Sequence, residues 1–328
     1  MSKSTSEDSF QKALQLLREG HPVGIPTETV YGLGAPIDNP KAIERVFALK
    51  ERPFFDPLII HIAKKEDISK VSEYHSDLLS TLVETFWPGP LTIVLPKRPC
   101  IHPMICSGLQ TVGVRLPSHP VCNRLISELG VPLAAPSANK FGKTSPTKAS
   151  HVLEAWPNGE VHVVDGGSSE IGIESSVIQI DIEDNREIIK VIRKGIITLE
   201  MLSQAAGKTT EICYVESNAT PGHTPDHYMP EIPLCIMREE SIPPDRDTIE
   251  KITSHFGLKT NTSYGILTLE ADPVIAARML YDSLHAFSKS EYDFIIAGRS
   301  RQHIQFDYSH WDAIWDRLEK AASLDLTK

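Results

Sequence analysis

The chain has 328 residues, 41% of them hydrophobic and 23% charged, with a formal net charge of −10; that length favours two domains, each able to bury its own core. No run of about eighteen apolar residues is available for a membrane span, and the polar first residues do not read as a signal peptide, so the expectation is a cytoplasmic protein with no membrane contact. Five cysteines, Cys100, Cys106, Cys122, Cys213 and Cys235, contain no C-x-x-C pair and are odd in number, which argues against a disulfide framework or a zinc ribbon.

Phe10, Ala13, Leu14 and Leu17 recur at helical spacing and Gly20 stops them, predicting an amphipathic helix over 7–19. A short strand over 22–26 then empties into a hydroxyl- and glycine-rich turn, Pro26-Thr27-Glu28-Thr29-Val30-Tyr31-Gly32-Leu33-Gly34. Asn39-Pro40 is a good N-cap and first-turn pair for a helix that ends near Lys50 and carries Lys50 and Arg52 back towards that turn. Strands follow over 58–62, 91–95, 112–115, 132–135 and 161–164. Helices over 77–86, 120–129 and 147–155 alternate with them, and 176–182 with 187–192 reads as a hairpin that makes the sheet mixed. The stretch 207–232, with Pro221, Pro225 and Pro230 and no periodicity, reads as an interdomain linker. Strands over 234–237, 264–269 and 292–297 then interleave with helices over 245–255, 273–287 and 311–322. The predicted organisation is α/β: a mixed twisted sheet with flanking helices over 1–206, a linker or lid over 207–232, and a small Rossmann-like α/β domain with parallel strands over 233–328.

The charge is uneven. Residues 1–200 carry a balance of −3 and residues 201–328 one of −7, while Lys97, Arg98, Arg115, Arg124, Lys140, Lys143 and Lys148 face a single anion, Glu128, between 97 and 150. Gathered on one surface, these cations would make a local field for an anionic ligand; the alternative is a solvated basic face.

Several residues are candidates for chemistry. Lys50 and Arg52 sit at a helix end, where cations also complement the helix dipole, and Pro53 fixes an extended exit behind Arg52. Arg115 closes an apolar strand, where a guanidinium usually meets a cleft or a carboxylate. Ala134-Ala135-Pro136-Ser137-Ala138-Asn139 and Ser145 offer small side chains and neutral hydrogen bonds for phosphate or ribose oxygens. A hydrolytic role for Ser137 lacks a G-x-S-x-G elbow. His61 in its strand reads first as a satisfied core histidine. His223 and His227 have H-x-x-x-H spacing, but Pro221, Gly222 and Pro225 deny the helix that would make them converge, and no metal site is expected.

In order, Pro26 to Gly34, Lys50-Glu51-Arg52-Pro53, Pro57-Leu58-Ile59-Ile60-His61, Trp87-Pro88-Gly89-Pro90-Leu91-Thr92, Val114-Arg115-Leu116-Pro117, Ala135-Pro136-Ser137-Ala138-Asn139, Ser145-Pro146-Thr147, Asp165-Gly166-Gly167 and Glu174-Ser175-Ser176 resemble the YrdC-type threonylcarbamoyl-AMP synthases. Pro221-Gly222 with His227-Tyr228-Met229-Pro230 resembles the linker of the two-domain form, and the tail around Ile314-Trp315-Asp316-Arg317-Leu318 resembles its extra C-terminal domain. The resemblance implies a nucleotidyltransferase that forms threonylcarbamoyl-adenylate and pyrophosphate from L-threonine, bicarbonate and ATP, with Mg²⁺ accompanying the triphosphate, and passes its product to tRNA threonylcarbamoyl-transfer proteins. It also implies that Thr29, His61, Arg115, Ala135 and Ser175 hold threonine. Lys50, Arg52, Asp56, Thr111, Ser137, Asn139, Ser145 and Arg193 would hold ATP, with Tyr228 closing over the nucleotide and Lys50, Arg52 and Arg115 serving catalysis.

The chain departs from the family in carrying Asp56 where an Asn is usual, and a carboxylate beside a triphosphate repels it unless Mg²⁺ or Lys50 intervenes. Lys194 replaces a usual proline, His223 a usual Met, and Asp226 a usual cation. Two other classes stand beside this one. A carbamoyl-adenylate-forming module of another pathway is similar but normally carries C-x-x-C zinc fingers. A non-enzymatic, weakly RNA-binding module would use the 97–150 cations, but apart from Phe141 no base-stacking aromatics are interleaved among them, which counts against it.

Overall fold

The structure is a computed structural model that describes residues 3–207, 209–215, 227–259, 262–300 and 310–327. The chain divides into two compact units, residues 1–141 with 145–223, and residues 142–144 with 224–328.

In the first unit, α1 (Lys3–Arg18) buries Phe10, Ala13, Leu14 and Leu17 along one stripe, and Gly20, at φ +78°, turns the chain into β1 (Val23–Ile25). The second half of the expected glycine-rich turn is itself a strand, β2 (Gly32–Pro36), antiparallel to β1 with Val23 opposite Gly34 and Ile25 opposite Gly32. Its glycines act by lacking a side chain: a Cβ on Gly34 would stand 3.0 Å from Ile25 Cδ1 and 3.2 Å from Leu133 Cδ1. Close strand packing, not a turn, is what these glycines permit.

The Asn39 side chain accepts from the Ala42 amide to start α2 (Pro40–Lys50), which ends at Glu51 in a left-handed conformation. Then come β3 (Ile59–His61), α3 (Asp77–Phe86), β4 (Leu91–Pro96), β5 (Thr111–Arg115), α4 (Pro120–Leu129), β6 (Leu133–Ala134), α5 (Ala149–Ala155), β7 (His162–Val163) and the hairpin β8 (Ser176–Glu183) with β9 (Arg186–Arg193). Helix α6 (Leu199–Ala206) follows, and β10 (Glu211–Tyr214) adds to β9 in parallel. The expected linker therefore begins with an edge strand of the first sheet, because Ile212 and Tyr214 find apolar cover on the core; residues 208 and 216–226 of that stretch lie outside the described residues. The ten strands run in the order β10-β9-β8-β4-β5-β3-β6-β2-β1-β7, parallel between β3 and β5 and antiparallel between β4 and β5. Helices α1 and α4 cover the β1 end through Leu14, Leu17, Leu125 and Ile126. Helices α2, α3 and α6 cover the rest through residues such as Val46, Leu82 and Leu202.

The second unit is the small parallel domain expected from its alternating pattern. It consists of β11 (Leu234–Arg238), α7 (Arg246–Phe256), β12 (Tyr264–Leu267), α8 (Pro273–Ser288), β13 (Phe294–Arg299), α9 (His310–Ala321) and a further short strand, β14 (Leu324–Asp325). All strand pairs are parallel in the order β12-β13-β11-β14, over a core of Cys235, Met237, Ile252, Phe294 and Ile296.

The packing at Gly34 makes a stability prediction. Gly34→Val should lower the unfolding free energy by about 1–3 kcal/mol through overpacking, read as a lower denaturant midpoint; a midpoint equal to the parent's would show that the β1–β2 pair has slack.

Candidate active site

The site begins with a turn that ties its own backbone. Thr27 Oγ1 donates to the Val30 carbonyl at 2.6 Å and accepts from the Thr29 and Val30 amides, so the hydroxyl takes the place of a backbone turn partner. A second segment straps the turn from outside: the Ile171 and Gly172 amides donate to the Glu28 and Thr29 carbonyls, and Ser169 Oγ donates to the Thr27 carbonyl. Tyr31 reaches across to the Asp165-Gly166-Gly167 motif, donating to the Gly167 carbonyl at 2.7 Å and accepting from the Gly166 amide. Burial pushes its phenol up to about 12. Motifs far apart in sequence thus close one loop cluster.

Arg115, at the end of β5, is buried and threads into that cluster. Its Nε donates to the Gly89 carbonyl at 3.2 Å, Nη1 donates to Thr29 Oγ1 at 2.8 Å, and Nη2 lies 2.6 Å from Glu28 Oε1. Gly89 is a necessary glycine, since a Cβ there would sit 2.5 Å from the Phe86 carbonyl oxygen. His61 pairs with Arg115 across β3 and β5 and donates from Nδ1 to the Ile59 carbonyl at 3.2 Å, which leaves Nε2 as an acceptor. Burial, then the Arg115 charge, lowers its pKa to about 3, so the imidazole is neutral.

The other cations converge nearby. Lys50 is buried at the end of α2 and donates to the Ser137 and Asn139 carbonyls at 2.7 and 2.6 Å. Burial holds its pKa well below the ordinary lysine value, and Arg52 pushes in the same direction. Arg52 is paired with Asp56 at 2.8 Å and donates to the Asp56 and Pro57 carbonyls. Burial raises the Asp56 pKa, while Arg52, Lys50 and Arg193 all act to lower it. Asp56 is therefore a carboxylate set among three cations, and the repulsion expected from it is met by its partner Arg52.

Arg193, closing β9, donates to the Ser175 carbonyl and hydroxyl, each at 3.0 Å, and Ser175 Oγ lies 2.8 Å from Thr92 Oγ1. Ser145 Oγ donates to Glu174 Oε1 at 2.6 Å. The Ala135 amide donates to the Ile59 carbonyl, and Thr111 lines a small cavity with Pro57, Thr92 and Val177.

Of the residues singled out from the sequence, Thr29, Lys50, Arg52, Asp56, His61, Thr111, Arg115, Ala135, Ser137, Asn139, Ser145, Ser175 and Arg193 all belong to the first unit. Tyr228 belongs to the second, where its ring stacks on Tyr281 at 5.7 Å and the Arg317 guanidinium lies 5.8 Å from its centroid. There the Tyr228 carbonyl accepts from Thr144 Oγ1, and the Met229 amide donates to the Gly142 carbonyl at 2.8 Å. His223 and Asp226 lie outside the described residues.

The 97–150 cations do not act as one surface: Arg115 is interior, Arg98 pairs with Glu73, Arg124 with Glu7 and Glu128, and Lys140 with Glu51. Sequence reasoning assigned no role to Glu28, Glu174 or Thr92. The available signal for Glu28 was a carboxylate inside the first motif, opposite an arginine already expected to be buried.

Fold and site together define an α/β enzyme of the YrdC type followed by a small parallel α/β domain. The Sua5/YciO/YrdC family model, described as telomere recombination, matches residues 15–195, and the model of the threonylcarbamoyl-AMP synthase C-terminal domain matches residues 197–323. The chain is 36% identical to the threonylcarbamoyl-AMP synthase of Bacillus subtilis, over 97% of this chain and 94% of that one. It is 35% identical to that of Pyrococcus abyssi, over 96% and 94%. The crystal structure of P. abyssi Sua5 complexed with L-threonine superposes with a TM-score of 0.81 at 32% identity, covering 97% of this chain and 96% of that one. The chain belongs to the Sua5/YciO/YrdC family, in the two-domain form that carries the threonylcarbamoyl-AMP synthase C-terminal domain.

His61 makes the site's pH prediction. Its folded pKa of about 3 lies below the unfolded 6.5, so the stability it contributes is complete above pH 6.5 and is lost as pH falls from there towards 3. His61→Gln should flatten the fall in unfolding free energy between pH 6.5 and 5 by about 1 kcal/mol per pH unit; parallel curves for parent and variant would show that His61 is not held neutral.

Proposed function

We propose that this protein forms threonylcarbamoyl-adenylate and pyrophosphate from L-threonine, bicarbonate and ATP, supplying the threonylcarbamoyl group for modification of adenosine in tRNA. What carries this reading is the match of both family models, in order, along nearly the whole chain.

The residues suit the chemistry. Threonine's amine captures bicarbonate carbon to give a carbamate, whose oxygen attacks the α-phosphorus of ATP as pyrophosphate leaves. Such a transfer depends on positioning and charge neutralisation more than on a strong base. Thr29, His61, Arg115, Ala135 and Ser175 form the threonine end in this reading, with the neutral His61 Nε2 as an acceptor for the threonine hydroxyl. Lys50, Arg52, Asp56, Thr111, Ser137, Asn139, Ser145 and Arg193 form the ATP end. Burial disfavours the Lys50 charge, and approaching phosphate oxygens would favour it, so Lys50 suits a nucleotide partner.

Mg²⁺ enters as part of the MgATP substrate; among the described residues, no cluster of three or more His, Cys, Asp or Glu side chains is placed to hold a metal by itself. Tyr228 closes over the nucleotide in this scheme, shielding a water-sensitive intermediate. The product passes to a transferase acting on tRNA, which places the reaction in the cytoplasm; no described helix is long and apolar enough to cross a membrane.

The test is pyrophosphate release from ATP with threonine or bicarbonate omitted in turn. Release should require both, and release indifferent to threonine would sink the assignment. Arg115→Lys keeps the charge against Glu28 but loses the planar fork. It should raise the threonine KM by about tenfold or more, with the ATP KM within about twofold of the parent's; equal effects on both substrates would remove Arg115 from the threonine end.

A further inference from the structure

Glu28 is a buried carboxylate whose family motif gives it no role, and it lies in the middle of the candidate threonine end. Its Oε1 meets Arg115 Nη2 at 2.6 Å, while neither carboxylate oxygen receives an in-line hydrogen bond among the described residues. The adjoining turn spends its donors elsewhere: Thr27 and Thr29 hydroxyls face each other at 2.9 Å, and the Thr29 and Val30 amides go to Thr27 Oγ1. Nearby Cys122, its thiol pushed up to about 12 by burial and then by the Glu28 charge, stays neutral and adds no second anion beside it. A buried carboxylate with acceptor capacity unmet is costly unless a donor is brought to it.

We propose that Glu28 binds the α-ammonium group of the amino-acid substrate and takes up the proton released when that nitrogen becomes a carbamate; the proposal rests on the threonine reading of this site. A zwitterion brings one anion and one cation separated by a single carbon. Arg115 and Glu28, in contact, present the complementary pair, so carboxylate and ammonium are matched with no net charge carried into the interior. A lone guanidinium would accept any carboxylate, whereas the pair requires a free amine beside it.

The proton balance fits the same carboxylate. An ammonium and bicarbonate give a carbamate, a water and one proton: the N–C bond forms, the C–OH bond of bicarbonate breaks, and of the two N–H protons lost one joins the departing hydroxyl as water and the other must be accepted by a base. Accepted by Glu28, that proton converts the carboxylate to a neutral acid, which also removes its repulsion of the new carbamate anion.

The experiment compares calorimetric affinities for L-threonine and for 3-hydroxybutyrate, which keeps the carboxylate and hydroxyl but lacks the amine, in the parent and in Glu28→Gln. The parent should favour threonine by roughly thirtyfold or more, the effect of one buried charge pair, and Glu28→Gln should bring the ratio to within about threefold with ATP affinity retained. A variant that keeps the parent's ratio, or that loses both ligands in equal proportion, overturns the proposal, the second result assigning Glu28 to the support of Arg115 alone. If Glu28→Gln does not fold, the parent decides: equal affinity for the two compounds overturns the proposal, and a thirtyfold preference upholds its requirement for an ammonium partner. A parent that shows threonine-dependent pyrophosphate release but fails these arms loses only the role of Glu28; a parent that binds no threonine loses the reading of the site as well.

Discussion

A guanidinium removed from water with one carboxylate at contact distance fixes the geometry of the catalytic domain's interior. Arg115 and Glu28 are each about 4% exposed, so neither charge has solvent to fall back on. Separating them would leave an uncompensated buried ion, a loss of about 3–5 kcal/mol. That constraint propagates along the backbone. Arg115 belongs to β5, its carbonyl accepts from the Ile62 amide beyond β3, and its side chain holds Gly89 on one side and Thr29 on the other. The turn from Thr27 to Val30 is thereby tied to β5, and the strap at residues 169–172 holds it from the other side. Buried pairs contribute less to net stability than to defining one arrangement, and here the arrangement brings strand ends and a loop into a single cluster.

How much of this was legible from the sequence depends on how locally each feature is encoded. Helices announce themselves through spacing and caps: Asn39 before Pro40 and the Phe10 to Leu17 stripe of α1 form the elements that their residue types dictate. The parallel character of the second unit follows from strands alternating with helices. Strand β2 was hidden because glycine carries two messages, a permissive backbone and a missing side chain. Only the tertiary neighbours Ile25 and Leu133 reveal that the second applies at Gly34. Strand β10 was hidden because four residues at a sheet edge have too little pattern of their own and take their conformation from β9.

The charges show the same division. Lys50, Arg52 and Arg115 stood out in the sequence, and Arg193 through the family resemblance, but the partners the structure gives them did not. Asp56 looked repulsive when set against an imagined phosphate. Its actual neighbour is Arg52, four residues earlier in a segment that is not helical, where no spacing rule applies. Glu28 lies inside the first motif, yet its partner comes from a strand contributed much later in the chain. Side-chain pairing across loops is set by the fold as a whole, and a sequence exposes it only as an unexplained acidic residue among hydroxyls.

Two parts of the cluster differ in their electrostatic balance, and the difference suits the ligands proposed for each. At the Arg115 end, one cation meets one carboxylate, and the adjacent imidazole is kept neutral by burial and by that same guanidinium. The region therefore carries little net charge, which suits an amino acid that is itself neutral overall. Elsewhere in the cluster, Lys50, Arg52 and Arg193 all act on Asp56, an arrangement that would offset a triphosphate's negative charge if the nucleotide binds there as proposed. Lys50 donates to two carbonyl oxygens, and burial, with Arg52 acting in the same direction, lowers its pKa. An excess of fully stabilised cations in the same volume would repel one another and destabilise the fold. The carboxylate of Asp56, paired with Arg52 at 2.8 Å, reduces that repulsion, so in the proposed reading Asp56 tempers the charge that a nucleotide would meet instead of defeating it.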